Sequence, residues 1–194
     1  MNRPVLALFS CLTLTGAANA QSETWKIDAA HSAAQFAVRH MGISTVRGAF
    51  TKLEGTVQYD PADVSKTVLE VTIDTDSVDT RVEPRDKDLR SEKYFDVQKF
   101  PKMTFKSKHT EQAGAGKLKI AGDFTLHGVT KEVVLDVDGP TPSVKDAKGN
   151  LHMGASATAS LDRTAFGITA GQPVVGNDIS ITLDVELSQP AAGK

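Results

Sequence analysis

KLKIAGDFTLHGVTKEVVLDVDGP, residues 117–140, carries the fold signal in its plainest form. Leu118, Ile120, Gly122, Phe124 and Leu126 alternate with Lys117, Lys119, Ala121, Asp123 and Thr125. The pair His127-Gly128 interrupts the run as a hairpin turn, and Val133, Leu135 and Val137 resume it. A period of two with a turn signal between is the pattern of half-buried antiparallel strands, each with one wet face.

The same period extends outward in both directions. Upstream it runs through Ala34, Phe36, Val38 and His40, through Leu69, Val71 and Ile73, and through Met103 and Phe105. Downstream it runs through Met153, Ala155, Ala157, Ala159 and Leu161, then through Ile179, Ile181, Leu183, Val185 and Leu187. Between Phe50 and Leu53 the apolar parity flips, which predicts a bulge inside one long strand from Val46 to Tyr59. Turn signals stand at Asp60-Pro61, Gly114 to Gly116, Asp138-Gly139-Pro140 and Lys148-Gly149-Asn150. The segment from Pro84 to Phe100 does not alternate, and its charges with the spacing of Leu89, Lys93, Tyr94 and Phe95 predict a short helix ending before Pro101. About eight antiparallel strands with one helical insert favour a closed barrel or a sandwich. The tail from Gln189 to Lys194 is expected to be loose.

Residue sizes bear on the interior. Three alanines fill the apolar face of the strand from Met153 to Leu161, glycines stand at 48, 55 and 122, and aromatics make up only 6% of the chain. Side chains this small fill a barrel poorly, so an apolar cavity is expected. The alternative is that they make room for the helix or for tight strand crossings.

The 194 residues carry a net charge of −2, with no basic run to track phosphates, so nucleic acid is not an expected partner. Residues 1–20 read as a cleaved secretory signal peptide: Arg3, an uncharged run from Val5 to Gly16, and Ala18-Asn19-Ala20 before Gln21. A lipobox ending at Cys11 is the rival reading, with too little apolar sequence ahead of it. Removing 20 residues leaves 174. Arg3 is the one charge lost, taking the net charge from −2 to −3, and the only Cys goes with it. A periplasmic protein held by its core is the expectation.

A series of motifs runs in order along the chain. Asp28-x-x-His31-Ser32 leads into Phe36-x-Val38-x-His40-Met41 and Val46-x-Gly48-x-Phe50. Ser77-Val78-Asp79-Thr80 is followed by Arg85-Asp86-x-x-Leu89-Arg90-Ser91-x-x-Tyr94-Phe95-Asp96-Val97 and by Phe100-Pro101-x-x-Thr104-Phe105-x-Ser107. Gly122 to Lys131 and Asp162-Arg163-x-x-Phe166-Gly167 complete the set. Through these motifs the chain, from about Trp25 to Leu187, resembles the YceI-like family of exported polyisoprenoid-binding, lipocalin-like proteins. Tyr94-Phe95 stands where two Phe are common. The resemblance implies an eight-stranded antiparallel barrel over residues 21–194, with a helix and a long-chain isoprenoid, isoprenoid quinone or similar lipid inside. A membrane or membrane protein would supply that lipid, and a homodimer stays open. The lipid is the expected ligand and no cofactor is expected.

The candidate ligand-binding residues follow from inward parity and from the insert. The early strands contribute Phe36, Val38, His40, Phe50, Leu69 and Val71. The later ones contribute Met103, Phe105, Phe124 and Ala157. The insert contributes Arg85, Leu89 and Phe95, and Phe166 follows the alanine strand. His40 continues the face of Phe36 and Val38, so it is expected to point inward, either to a ligand head group or to a core partner. Arg81, Arg85, Arg90 and Arg163 suit a phosphate, pyrophosphate or carbonyl at an entrance; alternatively Arg85 or Arg90 pairs with Asp86, Asp88 or Asp96 around the helix. His31, His40 and His127 would be three imidazoles, but no metal-ligand spacing supports them and no metal is expected. His109 and His152 read as surface positions. No nucleophile elbow or phosphate loop is present. A binding protein is therefore expected; the alternative is a barrel enzyme, isomerase- or cyclase-like, that uses His40 and a carboxylate on an apolar substrate.

Overall fold

The computed structural model describes residues 23–191. The signal peptide and the Cys11 reading lie outside them, as do the last three residues of the tail.

The chain forms β1 (Glu23–Ile27), β2 (Ala33–His40), β3 (Ser44–Phe50), β4 (Leu53–Tyr59), β5 (Val68–Asp74) and β6 (Val78–Asp79) before the α-helix α1 (Glu83–Arg90). After it come β7 (Lys102–Gly114), β8 (Lys117–Leu126), β9 (Val129–Asp138), β10 (Val144–Lys145), β11 (Leu151–Asp162) and β12 (Val175–Gln189). All pairings are antiparallel. β1 and β2 form one long strand interrupted at residues 28–32, since both pair with the same edge of β12. β3 and β4 likewise form one strand, interrupted at Thr51 and Lys52. Counted so, eight strands pair each with the next in chain order, and β12 closes the ring on the first. Closure leaves no long free edge, which is how an all-β chain avoids templating aggregation.

The expected bulge is the interruption between Phe50 and Leu53. Its freed backbone groups are satisfied from the neighbouring turn: Thr51 N–H donates to Ser77 O at 3.1 Å and Lys52 N–H to the Ser77 hydroxyl at 3.1 Å. Both Phe50 and Leu53 are buried as a result. The His127-Gly128 hairpin has positive φ at both residues, 53° and 75°, matching the twist of the flanking strands.

The helix is shorter than expected. α1 ends at Arg90, and Ser91 to Phe100 are turns in which Asp96 takes a φ of 46°. Three buried clusters stack along the barrel. Phe50, Val78, Met103, Leu126, Leu161, Phe166 and Ile168 lie at the insert end; Phe105, Leu118, Ile120, Leu135 and Ala157 lie in the middle; Trp25, Met153 and Leu187 lie at the far end.

Candidate functional site

The inward faces of the strands do not meet at the barrel axis. They enclose a cavity of about 250 Å³. An apolar void of ~150 Å³ already stays dry and holds an aromatic ring, so this one has room for part of a hydrocarbon tail. Its wall is the alternating face read from the sequence: Phe36 and Val38, Leu69 to Ile73, Met103 and Phe105, Val133 to Val137, and Ile179 to Leu187 at every second residue.

The small residues have two separate roles. Ala155 and Ala157 line the cavity. The glycines do not create it. A Cβ on Gly48 would sit 2.5 Å from the Phe36 ring, and one on Gly122 would sit 2.5 Å from both the Phe105 ring and Lys106 O. These glycines let aromatic rings and a neighbouring strand approach, the alternative role weighed for them above.

Eleven of the fourteen candidate residues line the wall: Phe36, Val38, Phe50, Leu69, Val71, Leu89, Phe95, Met103, Phe105, Phe124 and Ala157. Three do not. β2 ends at His40, where the chain turns through Met41 and Gly42 at positive φ, so His40 sits at the barrel rim and not over the cavity. Arg85 is held away from the cavity because its guanidinium donates to the Thr80 hydroxyl at 2.7 Å and to Thr80 O at 3.0 Å. Phe166 is fully buried behind the wall, with its ring edge-on to Phe124 at 5.7 Å.

The other expected polar contacts are also occupied. Arg163 is buried and donates to the carbonyls of Gly176, Ile168, Ala170 and Val175, which staples the loop before β12. Burial lowers its pKa from the usual arginine value. Arg90 donates to the carbonyls of Asp76 and Val78 and lies 3.3 Å from the Asp76 carboxylate, so its partners are not those expected around the helix. Asp86 is buried and accepts from Thr80 N–H at 2.9 Å.

The imidazoles do not converge. His31 lies in the interruption before β2 and His40 at that strand's far end, so the eight-residue strand, about 23 Å long at 3.3 Å per residue, lies between them. His127 Nδ1 lies 3.2 Å from Phe166 O, with its ring against Phe100. His31 bonds Asp28 at 2.9 Å; that bond, with the Asp28 and Glu186 charges, raises the His31 pKa, and the same bond together with the Ala30 N–H lowers that of Asp28. His152 is half-buried instead of free at the surface. Its ring lies 2.8 Å from Glu186 and 3.4 Å from Asp146.

Sequence reasoning missed several residues at the cavity, among them Ile27, Tyr59, Thr67 and Pro140. Thr67 lines the wall, and its hydroxyl is buried with no hydrogen-bond partner among the described residues. Tyr59 lines the same cavity, and burial raises its phenol pKa. Thr67 immediately precedes β5 and continues the parity of Leu69, Val71 and Ile73 backward by one step, which is the signal that could have found it; a lone polar residue ahead of an apolar run reads as turn.

A model of the YceI-like domain matches residues 25–187. A UPF0312 protein of Vibrio cholerae serotype O1 is 34% identical over 163 residues, which is 84% of this chain and 86% of that protein. The crystal structure of a YceI protein from Campylobacter jejuni has 31% identity and a TM-score of 0.68, over 78% of this chain and 89% of that one. A polyisoprenoid-binding domain from Saccharophagus degradans superposes with a TM-score of 0.65 at 15% identity, over 86% of this chain and 98% of that one.

Proposed function

The chain belongs to the YceI-like family, and we propose that it is an exported, periplasmic carrier or store that holds the tail of a polyisoprenoid, isoprenoid quinone or similar amphiphile inside its barrel. The observation that carries this reading is the closed barrel around an apolar cavity with aliphatic and aromatic walls. The polyisoprenoid-binding description of the Saccharophagus domain supports the ligand class. Burial of each CH₂ contributes roughly 0.8 kcal/mol, so a few isoprene units give a gross term of order ten kcal/mol before ordering costs. The tail supplies the affinity and a polar end orients it.

The Thr67 hydroxyl is the polar contact for that end, with Tyr59 beside the same space. An unpartnered buried hydroxyl costs the free protein about 1–3 kcal/mol, which a ligand acceptor or donor would recover. Support for binding over turnover comes from the wall itself. Its lining residues include no histidine and no carboxylate, and the one guanidinium is saturated by backbone carbonyls. Histidine and carboxylates are the usual groups for general acid–base chemistry, and of the two phenols at the wall, Tyr59 and Tyr94, burial raises the pKa of Tyr59 further from neutrality.

The reading is tested by purifying the mature protein without detergent, extracting it with organic solvent and identifying the extract by mass spectrometry. A long-chain amphiphile at close to one per barrel is expected. A polar metabolite, or uptake that leaves the cavity residues unprotected, would overturn it.

A further inference from the structure

The hairpin between β2 and β3 breaks a local rule. Exposed turn tips are normally polar, because glycine, asparagine, aspartate and serine satisfy both backbone and water. Here the tip is Met41-Gly42-Ile43, with Met41 61% and Ile43 79% exposed. The backbone does not demand these side chains. Met41 takes a φ of 52°, a region that favours asparagine or aspartate over methionine. The tip is held in place, since Met41 N–H donates to Val174 O at 2.7 Å, and Val174 is itself 45% exposed. Three large apolar side chains thus stand together in solvent at one end of the barrel.

A cationic collar lies beneath them. The Arg39 guanidinium donates to Gly42 O at 2.6 Å and to the Thr45 hydroxyl at 2.9 Å, which fixes it under the tip, with no carboxylate in ion-pair range among the described residues. Arg47 is exposed two residues below Thr45 on the same outer face, and the register of β3 on β6, continued by two residues, brings Arg81 alongside it. Neither has an ion-pair partner among the described residues. The lysines of β7 and β8 contrast with them: Lys102, Lys106, Lys108, Lys117 and Lys119 each lie against a carboxylate. In a chain of net negative charge, three unpaired arginines around an apolar tip form a local reversal of sign.

We propose that this tip docks on an anionic lipid bilayer, with Met41, Ile43 and Val174 entering the headgroup region and Arg39, Arg47 and Arg81 against its phosphates. The place is suited to lipid transfer. Val175, next in sequence to Val174, lines the cavity, as do Leu89, Tyr94 and Phe95 of the irregular insert at this end. The inference rests on the lipid-binding reading and adds the surface from which the ligand is taken.

The test is vesicle flotation of the ligand-free mature protein, run beside uptake of a polyprenol from detergent solution. Vesicles of phosphatidylglycerol and phosphatidylethanolamine should carry the protein, vesicles of phosphatidylcholine should not, and salt should release it. Ile43→Asp should weaken flotation at least about tenfold. Arg39→Gln with Arg47→Gln should weaken it about 25-fold, about fivefold per charge. Uptake from detergent should be unchanged in every variant, since none of these residues lines the cavity. No flotation of the wild type, flotation indifferent to Ile43→Asp, or a dimer in solution that Ile43→Asp dissolves would each overturn the proposal. With uptake intact, those results leave the cavity reading standing. Tip-dependent flotation without uptake would support the tip and sink the cavity reading.

Discussion

The Thr67 hydroxyl sets two opposite expectations for one substitution. Thr67→Val keeps the shape and removes an unpartnered donor. The ligand-free protein should therefore become more stable in urea, by about 1 kcal/mol. Affinity for an amphiphile with a polar end should fall by about 0.5–1.5 kcal/mol. A variant that loses stability would place a hydrogen bond at Thr67 that the structure does not have. Asp146 gives a pH prediction. Hydrogen bonds from the Asn150 side chain, from two backbone amides and from His152 hold its pKa down at about 2. A carboxyl with a depressed folded-state pKa stabilises above its ordinary value of 3.8, and that stabilisation is lost as pH falls from there toward 2. Asp146→Asn should therefore be less stable than the wild type at neutral pH. The gap should close between pH 4 and pH 2 in urea titrations. At the far end of the network, Asp28→Asn should bring the His31 titration seen by NMR back down toward the ordinary imidazole value. Side-chain identity made the wall residues legible in the sequence. It could not show that Arg85 is spent on Thr80, because that pairing depends on where the chain folds back.

The strands and the insert differ in what holds them. β12 is hydrogen-bonded along both edges, to β11 on one side and to β1 and β2 on the other. The insert from Pro84 to Phe100 has one short helix and turns, and its Leu89, Tyr94 and Phe95 face the cavity. Opening a strand breaks two ladders at once; opening the insert breaks no ladder, only the separate bonds of Arg85, Asp86 and Arg90 to residues 76–80 and of Thr75 to Phe100 and Pro101. Amide exchange over residues 84–100 should therefore be fast in the ligand-free protein and slow markedly on loading, while residues 179–187 change little. Equal protection of both segments in both states would make the insert a static plug. The strands could be read from the sequence because a period of two survives in every long run, including the parity flip at Phe50 and Leu53. The helix boundary could not. Leu89 and Lys93 are a helical step apart, with Tyr94 and Phe95 following, but the Asp96 turn and the fold-back of Phe95 N–H onto Leu89 O replace the last turns with irregular backbone. The short β1, with the buried Trp25, also gave no run long enough to read.

At the scale of the whole molecule, eight strands in chain order close around a space that their side chains do not fill. The closure is implicit in the count and alternation of strands, whereas the size of the space depends on which small residues face inward. Ala157 does so; Gly48, Gly55 and Gly122 give their room to neighbours. Ala157→Phe therefore aims a ring into the cavity from mid-barrel. Overpacking usually costs about 1–3 kcal/mol, and the void should absorb part of that. The most direct test of the account is native mass spectrometry of wild type and Ala157→Phe after incubation with a long-chain polyprenol. The account predicts one polyprenol per wild-type barrel, and none on a folded Ala157→Phe. Equal uptake by both proteins would contradict it, since the tail would then lie somewhere other than the barrel interior.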